Sequence, residues 1–252
     1  MENKIALVTG GSRGLGKSTI LNLAQKGVDG ILTYHSRQDE ARNVVAEVQQ
    51  MGRKAVALQL DTGNSKGFAP FAEQVKSVLR QYWQRDRFDF LVNNAGIGLH
   101  ATFSDTTEEQ FDRLMNIHFK GVFFLTQALL PLMADGGRIV NLSSGLARFS
   151  LAGYSAYAAM KGAVEVLTRY LAKELGPRRI AVNAVAPGAI ETDFGGGMVR
   201  DNKDINRMIA SETSLGRVGL PDDIGGLIAS LLSDENGWIN GQRIEASGGI
   251  FL

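Results

Sequence analysis

Residues 5–16 read Ile5-Ala6-Leu7-Val8-Thr9-Gly10-Gly11-Ser12-Arg13-Gly14-Leu15-Gly16, and this stretch decides the fold. Ile5 to Thr9 is apolar and rich in β-branched residues, the composition of a buried strand. Glycines then make a loop. From Leu15 onward the apolar residues Ile20, Leu21, Leu23 and Ala24 recur at helical spacing. A strand, a glycine loop and a helix in this order bring backbone N–H groups and a helix N-terminus against a phosphate. The spacing is Gly-x-x-x-Gly-x-Gly, which departs from the Gly-x-Gly-x-x-Gly of the long-chain dinucleotide fingerprint. It meets the same physical needs: a tight turn, close approach of backbone to a pyrophosphate, and close packing of helix on strand.

The same alternation continues to the end of the chain. Strand-like runs fall at 5–9, 30–34, 54–60, 88–93, 138–143, 180–186 and 242–246. Helical patterns lie near 15–26, 38–51, 65–83, 107–133, 154–175, 202–211 and 221–232. Such a pattern predicts an α/β fold with a parallel sheet and helices on both faces. The second run is the least strand-like, because Gly30 and Thr33 dilute it. No linker, repeat or low-complexity tract divides residues 1–252, so a single domain is expected.

Composition narrows the function classes. Net charge is +1 without a basic block, which argues against nucleic acid or an anionic membrane as partner. Cysteine is absent, which removes disulfides, thiolate catalysis and cysteine metal sites. His35, His100 and His118 are scattered, so no metal is expected. The first strand leaves no room for a signal peptide, and no apolar run reaches membrane-spanning length. The expected location is the cytoplasm.

Candidate chemistry sits in Tyr157-Ala158-Ala159-Met160-Lys161. Residues four apart share a helix face, so the Lys161 ammonium can stand beside the Tyr157 phenol. A cation there lowers a phenol pKa that starts near ~10 and makes the phenol a proton donor and acceptor near neutral pH. Ser144 lies upstream, where the run Ile139-Val140-Asn141-Leu142-Ser143-Ser144 passes from strand to loop.

Thr9 to Gly16, Asn93-Asn94-Ala95-Gly96, Asn116, Ser144, Tyr157-x-x-x-Lys161 and Pro187-Gly188 follow one another in order. In this the chain resembles the short-chain dehydrogenase/reductase family over essentially its whole length. The resemblance implies a Rossmann-type, doubly wound, seven-stranded parallel sheet. It also implies an oxidoreductase that interconverts a ketone and a secondary alcohol. By the same resemblance Tyr157 is the acid/base and Lys161 serves both the phenol and the nicotinamide ribose. Ser144 orients the substrate oxygen; Ser143 is its rival, but the family's spacing to the tyrosine selects Ser144. Asn116 holds a water that relays protons toward the lysine. His118, two residues on, falls on nearly the opposite side of a helix and reads as structural.

The cofactor residues follow likewise. Gly10, Ser12, Arg13, Gly14, Leu15 and Gly16 form the phosphate loop. The second strand ends in Thr33-Tyr34-His35-Ser36-Arg37, with no Asp or Glu to hold a ribose 2′-OH or repel a 2′-phosphate. Arg13 and Arg37 are placed to clamp that phosphate, with Ser36 and His35 beside them. NADP(H) is therefore expected over NAD(H). Asp61 and Thr62 edge the adenine. Asn94, Ala95 and Gly96 end the fourth strand against the cofactor. Pro187, Gly188, Ile190 and Thr192 face the nicotinamide.

Leu146, Phe149, Leu151, Tyr154, Phe194 and Met198 lie on segments that border the substrate pocket, and their apolar character favours a hydrophobic or aromatic small-molecule carbonyl. Gly195-Gly196-Gly197 marks a mobile lid near 191–212. Two alternatives stand beside a simple ketoreductase. One is a 3-oxoacyl-carrier-protein reductase, disfavoured because 133–137 lacks a cation for an acidic partner. The other is a non-catalytic NADP(H) sensor, disfavoured because the loop, tyrosine and lysine are all present. The resemblance implies a homotetramer.

Overall fold

The computed structural model describes residues 4–252. Its strands are β1 (Ile5–Val8), β2 (Asp29–Tyr34), β3 (Ala55–Gln59), β4 (Phe88–Asn93), β5 (Met133–Leu142), β6 (Ala181–Pro187) and β7 (Arg243–Ala246). They form one seven-stranded sheet in the order β3-β2-β1-β4-β5-β6-β7. Every pairing is parallel; Val8, for example, stands opposite Leu32 on one side and Val92 on the other. Helices α1 (Gly14–Gln25), α2 (Gln38–Gln50) and α9 (Pro221–Leu231) cover one face. Helices α3 (Phe68–Val78), α4 (Glu108–Met115), α5 (Gly121–Leu129) and α6 (Ser155–Glu174) belong to the other.

Strand β1 shows why these runs are continuously apolar. Its side chains alternate, Ile5 and Leu7 packing with Phe68, Phe71, Val75, Leu125 and Leu129. Ala6 and Val8 pack with Ile20, Leu23, Val44, Ile224 and Ile228 on the opposite face. A strand buried on both faces has no side left for polar residues. Even β2 obeys this, with Ile31 and Leu32 fully buried.

The chain runs from β1 outward to β2 and β3, then returns to the other side of β1 for β4. This reversal opens a crevice at the carboxyl ends of the strands, the usual ligand position in open α/β sheets. Gly10, Asn94, Ser144 and Gly188 all follow strand ends there.

One expected element is divided. The helical pattern at 107–133 is α4, then a wide π turn over Asn116–Lys120, then α5. Pro131, which has no N–H to continue a helix, lies in a short 3-10 turn at Leu130–Leu132. Strand β5 starts at Met133, paired with Phe88, and its register shifts before Arg138 pairs with Phe90. Gly136, at φ 76°, permits that irregularity. Beyond β6 the chain forms α7 (Met198–Asp201) and α8 (Lys203–Ser211), which precede α9.

Candidate active site

The glycine loop leaves the N-terminus of α1 open. No side chain caps its first N–H groups, and no acidic residue stands in the first turn. Such an end accepts an anion. Gly10 and Gly14 have φ of 65° and 53°, in the left-handed region that disfavours a Cβ. A Cβ on Gly16 would stand 2.2 Å from the Gly10 carbonyl oxygen and 2.6 Å from Asn94 Nδ2. Asn94 holds the loop: its Nδ2 donates to the Thr9 and Gly10 carbonyls at 2.8 and 3.2 Å. Thr9 Oγ1 in turn accepts from the backbone N–H groups of Asn94 and Ala95 at 2.9 and 3.0 Å. Thr192, buried, packs its methyl group toward Gly14. The donor set and the close backbone therefore fit a dinucleotide pyrophosphate.

At the adenosine end, Tyr34 closes β2 half-buried, and His35, Ser36 and Arg37 are exposed. Arg37 pairs with Glu40 at 2.6 Å. Arg13 reaches across to Asp193 at 3.0 Å, and Arg200 of α7 pairs with the same carboxylate. Both arginines stand at the surface near β2 and the glycine loop, each with a carboxylate partner. Asp61 accepts from the Gly63 N–H at 2.8 Å and lies 3.9 Å from His35.

The Tyr157–Lys161 pair is buried on α6. Lys161 Nζ donates to the Leu142 carbonyl at 2.6 Å and stands 5.6 Å from the centre of the Tyr157 ring. Burial holds the Lys161 pKa down to about 8. The phenol departs from expectation. Burial pushes Tyr157 above its usual range, hydrogen bonding with Ser144 pulls it back, and Tyr154 raises it further. Lys161 is not among the causes of that shift. In the protein alone, desolvation outweighs the cation.

The structure separates the two serines. Ser143 donates to Glu165 at 2.5 Å, and Glu165 also accepts from Arg243 at 2.7 Å, which ties Ser143 into a network away from the phenol. Ser144 faces Tyr157 and accepts from the Leu146 N–H at 3.2 Å.

Asn116 and His118 both lie on the π turn between α4 and α5. The Asn116 carbonyl accepts the Gly121 N–H that closes the π turn, and its side chain makes no hydrogen bond to another described residue. His118 is the residue turned inward. It is 1% exposed, and its ring meets Tyr157 edge-on, 5.0 Å between centres. The only signal for this in the chain is a histidine set among apolar residues.

Around the phenol, Leu146 packs in one cluster with Tyr157 and Met160. Phe194 lies 5.7 Å from the Tyr157 ring, and Tyr154 meets His100 edge-on at 5.1 Å. Phe149 instead packs on Phe251 at 4.9 Å, because the C-terminal segment folds back through bonds to Ser214 and Leu215. Met198 and Leu151 are largely exposed. Gly195, Gly196 and Gly197 all have positive φ, which turns the chain so that Phe194 covers the tyrosine. Among the described residues, no group of three or more His, Cys, Asp or Glu is arranged to hold a metal ion.

An oxidoreductase using a dinucleotide cofactor is the class that this crevice and buried Tyr–Lys pair define. A family model described as enoyl-(acyl carrier protein) reductase matches residues 10–250, and the chain belongs to the short-chain dehydrogenase/reductase family. It is 36% identical over 257 residues to the tetrahydroxynaphthalene reductase PfmaG of Pestalotiopsis fici, covering 98% of this chain and 91% of that one. Among solved structures it is similar to LugOII, a promiscuous reductase that catalyses keto-reduction at C1 during lugdunomycin biosynthesis. That match has TM-score 0.94 and 36% identity over 99% of this chain and 98% of the other. The angucycline C-6 ketoreductase LanV, solved with bound NADP, matches with TM-score 0.93 and 33% identity over 98% and 95%. The chain is thus an oxidoreductase of ketoreductase type.

Proposed function

We propose that the protein reduces a ketone on a fused-ring aromatic substrate to the secondary alcohol, using NADPH in preference to NADH. The observation that carries this reading is the aromatic enclosure of the buried phenol: Phe194 covers Tyr157, and the His100–Tyr154 pair extends the wall. Flat aromatic rings pack well against such edges and faces. The relatives named for hydroxynaphthalene and angucycline substrates support the same class.

Bound NADPH supplies the hydride. Tyr157 gives its proton to the substrate oxygen, and Ser144 donates a hydrogen bond to that oxygen as charge develops on it. Lys161, with a pKa near 8, exchanges protons close to neutrality and reprotonates the phenolate. Gly10, Ser12, Gly14, Leu15 and Gly16 hold the pyrophosphate, with Asn94 bracing the loop. Arg13 and Arg37 leave their carboxylate partners to hold the 2′-phosphate, flanked by His35 and Ser36. Asp61 and Thr62 edge the adenine, Ala95 and Gly96 lie against the ribose side, and Pro187, Gly188, Ile190 and Thr192 face the nicotinamide. Residues 191–212 form a lid. A carrier-protein substrate is less suited, because Arg138 is buried and bonded to the Leu232 carbonyl and Asp234.

Half-exposed Phe123, Phe124, Val166 and Tyr170 on α5 and α6 support a homotetramer. No helix among the described residues is long and apolar enough to cross a membrane, and a cytoplasmic enzyme is the reading we adopt. The test is a panel of tetralones, hydroxynaphthalene-derived ketones and aliphatic ketones with NADPH, followed by cofactor oxidation. Faster turnover of the aliphatic ketones would overturn the aromatic assignment.

A further inference from the structure

We infer that Arg243 and Glu165 are positioning residues of the reaction: they hold the turn after β5 so that Ser144, and not Ser143, offers its hydroxyl to the substrate oxygen. This rests on the proposed reduction and adds to it two residues remote in sequence from Ser144.

Two adjacent hydroxyls stand at the end of β5, and each has one proton to donate. The Ser143 proton is committed, since its Oγ donates to Glu165 Oε1 at 2.5 Å. Its N–H is held as well, by the Val185 carbonyl of β6 at 2.7 Å. Ser144 is in the opposite state. Its Oγ accepts the Leu146 N–H at 3.2 Å, which fixes the oxygen and leaves the proton free to donate.

One guanidinium sets both states. Arg243 begins the edge strand β7 and reaches over β6 to the end of β5. Its Nε donates to Glu165 Oε1 at 2.7 Å, the same oxygen that takes the Ser143 proton. Its Nη2 donates to the Ser144 carbonyl at 3.3 Å, and its Nη1 to Glu245 at 2.9 Å. The planar fork therefore fixes Ser143 through Glu165 and the Ser144 backbone directly. Glu165 itself lies on α6, one helical turn after Lys161, so the serine turn is referred to the helix that carries the Tyr157–Lys161 pair. The far end of the turn is held from β7 too, because Arg148 donates twice to Glu245, at 2.7 Å each.

The side chains of Arg243, Glu165 and Glu245 are largely buried. Ion pairs in such places are weak sources of stability, and well-packed apolar side chains of similar volume often serve as well or better. An apolar cluster cannot supply direction. Bonds from one rigid fork to a carboxylate shared with Ser143 and to the Ser144 carbonyl fix the orientation of the turn, and with it the line from Ser144 Oγ to the substrate oxygen. A donor to a developing oxyanion depends on that line.

The test measures kcat on the best ketone of the panel, NADPH affinity and unfolding midpoint, for single variants and for a double-mutant cycle with Ser144→Ala. Arg243→Met should lose ~10-fold or more in kcat with NADPH affinity kept. Arg243→Lys, which keeps the charge without the fork, should lose nearly as much. Glu165→Leu should also lose ~10-fold, and Glu165→Gln, which keeps an acceptor for Ser143 and Arg243, should recover most of it. Ser144→Ala alone should lose ~100-fold or more. In that background Arg243→Met and Glu165→Leu should each cost less than ~2-fold further, because the hydroxyl they position is gone. A general loss of structure would instead lower kcat by the same factor in both backgrounds. Should Arg243→Met fail to fold, the Glu165 variants read the same coupling. Near-normal kcat in folded Arg243→Met or Glu165→Leu, or equal losses with and without Ser144, would overturn the inference and leave the proposed reduction standing. A wild-type protein that reduces no carbonyl would overturn both.

Discussion

Gly16→Ala tests the glycine loop at the atom where the structure leaves least room. The added methyl would lie 2.2 Å from the Gly10 carbonyl oxygen, 2.8 Å from the Gly10 carbonyl carbon and 2.6 Å from Asn94 Nδ2. Non-bonded carbon atoms settle at about 3.5–4.0 Å, so relief requires a displacement of roughly 1 Å. The obstacle is backbone rather than the end of a flexible side chain. Gly10 sits at φ 65°, and its carbonyl is tied to Asn94, which also holds Thr9. Overpacking of this kind costs about 1–3 kcal/mol, against up to about 1 kcal/mol that alanine gains over glycine in a helix. The net loss is about 0–2 kcal/mol, which lowers the unfolding midpoint by up to roughly 8 °C at this chain length. NADPH affinity should fall by about tenfold or more, because the displaced carbonyl lies in the phosphate loop and each 1.4 kcal/mol is a factor of ten. Fluorescence titration with NADPH and thermal unfolding read the two effects. Gly162→Ala is the control: it lies within α6, and nothing stands within 4 Å of its Cβ position. That variant should gain about 0.5–1 kcal/mol and bind NADPH normally. A Gly16→Ala protein with wild-type midpoint and wild-type NADPH affinity would refute the reasoning.

Tyr157→Phe keeps the ring packed between His118 and Phe194 and removes only the hydroxyl. Turnover should fall by ~100-fold or more with NADPH binding little changed, and near-normal turnover would remove Tyr157 from the mechanism. Lys161→Met should abolish turnover yet stabilise the fold below pH about 8, where the buried ammonium is charged in both states and its depression from 10.5 to about 8 costs about 3 kcal/mol. Between pH 8 and 10.5 the folded wild type sheds a proton that the unfolded chain keeps, so its stability rises with pH and the variant's advantage shrinks. Denaturant titrations across that range check this, and an advantage independent of pH would contradict it. The catalytic efficiency of the wild type should be greater with NADPH than with NADH, and Arg13→Gln and Arg37→Gln should each weaken NADPH by ~10-fold or more with little effect on NADH. Equal efficiency with both cofactors would end the 2′-phosphate assignment. Light scattering should give the mass of a tetramer, and a clean monomer would reject it.

The sheet was legible because its signals are local and repeated. Each β1 residue faces one of two apolar layers, so burial on both sides writes itself into an unbroken apolar run. The glycine loop was legible for a related reason: a carbonyl 2.2 Å from a would-be Cβ admits no other residue. The start of β5 was less so. Met133-Ala134-Asp135-Gly136-Gly137 carries no strand pattern, and its pairing begins because Phe88 of β4 offers Met133 a partner.

Within the site, the chain by itself determined which chemical groups are present and in what order: an open phosphate loop, a Tyr–Lys pair one helical turn apart, and two candidate serines. Spacing along one helix is enough for that. Tertiary structure decided which groups meet. Glu165 and Arg243, remote in sequence, draw Ser143 aside and leave Ser144 to the phenol. The folded-back C-terminus takes Phe149, and Asp193 takes Arg13. The phase of the α4–α5 helix about its axis, set by how it packs on α6, turns the His118 ring to Tyr157. A helix pattern specifies which residues share a face, whereas the direction of that face belongs to the neighbours it packs against.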